Sequence, residues 1–100
     1  MLIYNITYHV EDEVHENFLI WLQESYIQEV KKDGVLQSPR LCRLLSHHEE
    51  GTCYSLQWEV EDTGALHRWH LAKGMNYNEE IIRIFNNKVV GFPTLMEVIE

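Results

Sequence analysis

Apolar and polar residues alternate along Leu2–Val10 (LIYNITYHV), with Leu2, Tyr4, Ile6, Tyr8 and Val10 on one face and Ile3, Asn5, Thr7 and His9 on the other. Period-two alternation rich in aromatic and β-branched residues predicts a strand. The larger, more apolar face belongs against a core, and the smaller polar face predicts a sheet covered by helices on one side only. Thr52–Val60 repeats the division, with Tyr54, Leu56, Trp58 and Val60 alternating with Cys53, Ser55, Gln57 and Glu59. A second strand-like run covers 35–45. The polar stretch from Ser46 to a turn glycine, Gly51, separates it from the third and predicts a hairpin. A last strand-like run covers 88–99.

Between the strands the period changes to that of a helix. Asp12 is placed to cap a first helix reaching about Lys32, and Glu13 and Glu16 complement its dipole. Val14, Phe18, Trp21, Leu22, Ser25, Tyr26 and Glu29 fall on one half of the helical wheel. Ile20 and Ile27 fall on the far side as a short exposed stripe, and Gly34 supplies the C-cap. Asp62 and Thr63 open a second helical region ending near Phe85, whose apolar side gathers Leu66, His70, Tyr77, Ile81, Ile84 and Phe85. Gly74 beside Asn76 predicts a kink or short loop over 73–76.

The order β-α-β-β-α-β is that of a ferredoxin-like fold, an α+β domain with a four-stranded antiparallel sheet and two helical regions on one face. Pro39 and Pro93 fall in the second and fourth strands, which are the sheet edges in that topology, where a missing N–H is tolerated. The 100 residues predict one domain spanning 1–100, with 45% hydrophobic residues to build a core. The predicted core holds Tyr4, Ile6, Tyr8, Phe18, Trp21, Leu22, Leu56, Trp58, Ile81 and Phe85.

Sixteen acidic residues against eight basic ones give a net charge of −8, which disfavours nucleic acid and anionic membranes as partners. The chain opens with a strand-like run instead of an apolar leader, and no apolar segment approaches the ~20 residues of a membrane span. A cytoplasmic protein with Cys42 and Cys53 reduced is the expectation.

Several strings, LIYNITYHV, WLQESYIQEV, PRLCRLL, YSLQWEVED and VVGFPTLMEVIE, together resemble a bacterial family known only as a domain of unknown function. The resemblance spans nearly the whole chain and implies the dimeric α+β barrel group of ferredoxin-like folds, and hence a homodimer. Tyr26 and Gln28 stand where that family carries a histidine and a proline, and the resemblance transfers no activity.

The six histidines are the natural place to look for chemistry. His47 and His48, beside Glu49 and Glu50 at the hairpin tip, read as a solvated loop. His67 and His70 have i, i+3 spacing and offer two metal ligands, but spacing suggests no third. No metal or cofactor is expected. His15 and His70 fall on the apolar sides of their helices, and a buried imidazole needs a partner such as the hydroxyl of Tyr4, Tyr8, Tyr26 or Tyr77. No nucleophile elbow or phosphate-cradling loop is present.

These readings leave a non-enzymatic homodimeric domain binding a small molecule or protein partner as the leading expectation. Any ligand cleft is expected between the second helical region and the aromatic sheet face, lined by His15, Trp58, His70 and Tyr77. A second expectation rests on Trp58-Glu59-Val60-Glu61-Asp62 followed by Trp69, which resembles the strand-to-helix segment of antibiotic-biosynthesis and haem-degrading monooxygenases needing no metal of their own. Asn5 extends that parallel. The histidine those enzymes carry late in the second helix would fall near Glu79 in this chain, and alternation puts Asn5 and Trp58 on opposite sheet faces. A third is a structural protein docking through a sheet edge or the Ile20/Ile27 stripe.

Overall fold

The computed structural model describes residues 1–46 and 50–100; the reading of His47, His48 and Glu49 lies outside the described residues. Four strands, β1 (Leu2–Val10), β2 (Gln37–Arg43), β3 (Thr52–Val60) and β4 (Val89–Glu97), form one antiparallel sheet in the order β2-β3-β1-β4. The two helical runs cross one face of it. The first joins α1 (His15–Trp21) and α2 (Ile27–Lys31) through a π turn at Leu22–Tyr26, and the second joins α3 (Thr63–Trp69) and α4 (Met75–Phe85) through a π turn at His70–Gly74.

The register puts Tyr4 opposite Trp58 and Ile6 opposite Leu56, so the even-numbered residues of both central strands face the helices. Ile6, Tyr8, Phe18, Leu22, Leu56, Trp58, Ile81 and Phe85 are buried as the sequence pattern predicts, while Tyr4 and Trp21 are half-buried at the core's rim.

The prolines mark the edges for identifiable reasons. Glu11 N–H donates to the Lys88 carbonyl and Val98 N–H to that of Met1, so even-numbered β4 residues bond to β1 and odd-numbered ones turn their backbone groups outward. Pro93 is odd, and its missing N–H faces away from the sheet. Pro39 lies in a bulge of β2 between Gln37 and Arg40, next to Ser38 at φ 52°.

The π turns explain where the wheel readings slip. Phe18, Leu22, Tyr26 and Val30 are the buried residues of the first run, spaced strictly by four. In a regular helix such a row drifts about 40° per step. The wider π turn absorbs the drift and returns Val30 to the core, leaving Ser25 and Glu29 exposed. The same rotation brings Ile27 against the core, so the expected exposed pair reduces to Ile20 alone.

Two helix-boundary expectations are also corrected. Asp12 begins a 3-10 turn, Asp12–Val14, and makes no capping bond, whereas Asp62 accepts from the Ala65 N–H at 2.7 Å. Such a cap contributes about 1 kcal/mol. The second run has no loop at 73–76. Gly74 is fully helical (φ −58°, ψ −41°), and a Cβ there would meet the Trp69 ring at 2.8 Å and His70 Nδ1 at 3.0 Å. Glycine is needed for close packing of the π turn on Trp69, and does not break the helix.

Candidate ligand-binding site

The helices cover β3 and β1 more completely than β4, where only Val89 of the strand is buried. A trough results between the second helical run and the helix-facing side of β1 and β4. It has two adjoining lobes of about 720 and 620 Å³, which share Tyr4, His70 and Pro93. Ile6, Tyr8 and Gly91 form the floor of the larger lobe, with Ile81 and Asn78 of α4 opposite. Leu66 and Leu95 wall the smaller one.

Each wall follows from local sequence. Odd-numbered β4 residues point to the helix side because they pair with the even-numbered residues of β1. At Gly91 the missing side chain keeps the floor low, since a Cβ would come within 3.3 Å of the Tyr8 ring. His70 begins the second π turn and is half-buried. Turns of that kind re-aim side chains and recur at functional sites.

The polar groups of the trough are few. Among the described residues neither the His70 imidazole nor the Tyr4 hydroxyl makes a hydrogen bond, and both line the two lobes. Burial pushes the Tyr4 phenol above its usual range. It pushes Tyr8 higher still, helped by neighbouring Tyr26 and Tyr4, so both stay protonated through neutral pH.

Of the residues predicted to line a cleft, only His70 lines this trough. Trp58 is sealed in the core with no exposed surface and with its indole N–H unpaired. Tyr77 stacks on Trp69 at 6.2 Å and meets Tyr26 edge-on at 4.9 Å, on the side of the second run facing the first. His15 is bonded through Nε2 to the Tyr54 hydroxyl and lies parallel to its ring. Its partner is a tyrosine outside the expected four. Tyr54 is on the helix-facing side of β3, so strand alternation and the helix start together carried the signal for that pair.

Asn5 belongs to the other face. Its amide accepts from Ser55 Oγ at 2.5 Å and donates to Thr7 Oγ1 at 3.1 Å, making it a buried, satisfied residue of the open sheet face. Glu79 is exposed on α4. The trio anticipated from the monooxygenase resemblance, Asn5, Trp58 and a residue near 79, is therefore not gathered in one place. No cluster of three or more His, Cys, Asp or Glu side chains suited to an ion occurs among the described residues. Cys42 is exposed, Cys53 is buried, and no disulfide joins described residues.

Sequence comparison bears on what this arrangement belongs to. The family described as a domain of unknown function, DUF4286, matches residues 1–99. The chain belongs to that family. No curated protein matches the sequence. The DUF4286 chain is similar in structure to a protein from Deinococcus radiodurans assigned as an antibiotic biosynthesis monooxygenase, with a TM-score of 0.73 and 19% identity, covering 100% of this chain and 94% of the other. An ethyl tert-butyl ether D (EthD) family protein from Bacillus halodurans gives a TM-score of 0.73 at 12% identity, covering 99% of this chain and 100% of the other. Another antibiotic biosynthesis monooxygenase gives 0.71 at 14%, covering both chains fully. At such identities the likeness shows the shared ferredoxin-like α+β fold and nothing of activity. Among the described residues of the DUF4286 chain no helix is long and apolar enough to cross a membrane.

Proposed function

We propose that this DUF4286 domain is a homodimeric small-molecule-binding protein whose ligand site is the trough between the second helical run and β1/β4. The supporting observation is the trough itself: a concave space within the usual size range of ligand pockets, apolar-walled, with the half-buried imidazole of His70 lacking a partner among the described residues. Binding is preferred to the oxygenase reading because Asn5, Trp58 and Glu79 do not share the site.

Nile red fluorescence tests the site. The dye is expected to brighten on adding the protein, and Gly91→Leu and Asn78→Trp, which fill the trough from opposite walls, should each weaken its binding by about tenfold. Unchanged binding to both folded variants would remove this reading.

The homodimer is supported by the opposite sheet face. Val90, Phe92 and Met96 of β4 lie beside the Asn5-Thr7-Ser55 network, with Phe92 58% exposed. A second sheet laid on this face would bury the apolar row while its polar rows stayed hydrated. Sedimentation is expected to give a dimer at high micromolar concentration and a monomer for Phe92→Glu. A wild-type monomer at that concentration would rule the dimer out.

A further inference from the structure

Among the described residues the walls of the trough contain no aspartate, glutamate, lysine or arginine, although 24% of the chain's residues are charged. Its polar groups, which are amides, hydroxyls and the imidazoles of His67 and His70, are unevenly placed. Asn86 and Asn87 stand at the outer end of the larger lobe, Thr63 and His67 line the smaller one, and His70 stands with Tyr4 where the lobes meet. A molecule occupying both lobes must pass His70.

From this we infer that the trough selects elongated, uncharged, mainly apolar molecules that carry one hydrogen-bonding group at mid-length, and that His70 receives that group. The inference rests on the trough being the ligand site. A charged group entering it would leave water for walls without an aspartate, glutamate, lysine or arginine to pair with, and that desolvation decides against it. A carboxylate faces the further repulsion of a chain with net charge −8. An ammonium is attracted by that field and by the tyrosine rings. The attraction of a ring face for a cation is smaller than the cost of dehydrating an ammonium without a carboxylate partner.

The demand for a central polar group comes from the protein side. Among the described residues the His70 ring has no hydrogen-bonding partner, so a hydrocarbon lying across it would shut the imidazole from water and pair it with nothing. A hydroxyl or carbonyl at that point satisfies it. A hydroxyl serves either ring tautomer because it can donate or accept, and a carbonyl serves the one that presents its N–H.

Four probes of one shape separate these effects: diphenylmethane, diphenylmethanol, diphenylacetate and diphenylmethylammonium, each placing its substituent between two phenyl rings. Equilibrium dialysis against the full chain at neutral pH is expected to rank diphenylmethanol first. It should bind about fivefold tighter than the hydrocarbon and at least about tenfold tighter than either ion. His70→Phe should abolish the advantage of the alcohol over the hydrocarbon while preserving hydrocarbon binding, and His70→Gln should restore part of it. If either ion binds as well as the alcohol, and Gly91→Leu still displaces it, the selectivity is overturned while the trough remains the ligand site. An unchanged alcohol-to-hydrocarbon ratio in His70→Phe overturns the role of His70. If no probe binds, or binding survives both Gly91→Leu and Asn78→Trp, the trough reading falls and this inference with it.

Discussion

Replacing Phe18 with alanine is expected to destabilise the protein by about 3–5 kcal/mol, the range for deleting a buried phenylalanine. Phe18 has no exposed surface and stands at the centre of the aromatic core. Its ring meets Tyr8 edge-on at 5.1 Å and Phe85 edge-on at 5.5 Å, and stacks on Trp21 at 6.1 Å. One side chain thereby couples β1, the first helical run and the end of the second. Its neighbours are rings held by other rings, and they cannot easily collapse into the space it leaves. A loss of this size is a large share of the 5–15 kcal/mol typical of a domain. Urea denaturation should show the midpoint falling with little change in slope. Ile20→Ala is the control on the opposite side of the same helix, where the residue is 54% exposed, and it should stay within about 0.5 kcal/mol. A cost below about 1.5 kcal/mol for Phe18→Ala would mean that the core is not organised around this ring.

What the sequence made legible follows from which physical signals are local. Strand alternation is a two-residue signal, and Leu2–Val10 and Thr52–Val60 form strands with the boundaries and faces that their patterns predict. The prolines report edge positions because a missing N–H is a backbone fact that packing cannot override. Helical phase is a cumulative signal, and there the reading drifted. The π turn at Leu22–Tyr26 widens the first run by part of a residue, which turns Val30 and Ile27 inward and leaves Ser25 and Glu29 outside. The spacing Phe18, Leu22, Tyr26, Val30 carries that information, since a row of strict fours asks for an under-wound helix.

Gly74 illustrates a second limit. Its low helix propensity is visible in the sequence, but its packing against Trp69 is a tertiary contact between neighbours on one helix, and the same residue serves either a break or a close approach. The site was legible only at His70. Where the helical layer ends over the sheet depends on the angle at which it crosses β1 and β4. Periodicity describes the faces of elements and not the extent of their overlap, so His15, Trp58 and Tyr77 were placed on the right faces without being placed together.

The tyrosines carry the other large expectation: the fold should lose stability steeply above pH ~10, with the two most buried phenols responsible. Burial is the main cause that lifts both Tyr8 and Tyr26 well above the ordinary tyrosine range. The neighbouring Tyr26 raises Tyr8 further, while the charge Tyr4 would carry adds to both. Below pH ~10 these phenols are protonated in folded and unfolded chains alike and contribute no pH dependence. Above it the unfolded chain releases their protons and the folded chain keeps them. The unfolded state then binds fewer protons, so stability falls with pH, by about 1.4 kcal/mol per unit for each phenol and about 2.7 for the pair. Two pH units would remove about 5 kcal/mol, comparable with the whole stability of a small domain. Urea midpoints measured across this range should fall accordingly. Tyrosinate absorbance for the buried pair should appear together with loss of tertiary circular dichroism, and not before it. The double variant Tyr8→Phe/Tyr26→Phe should flatten the slope by about 2.7 kcal/mol per pH unit. Were all the tyrosines to titrate near pH 10 with the fold intact, the burial of this pair would be refuted.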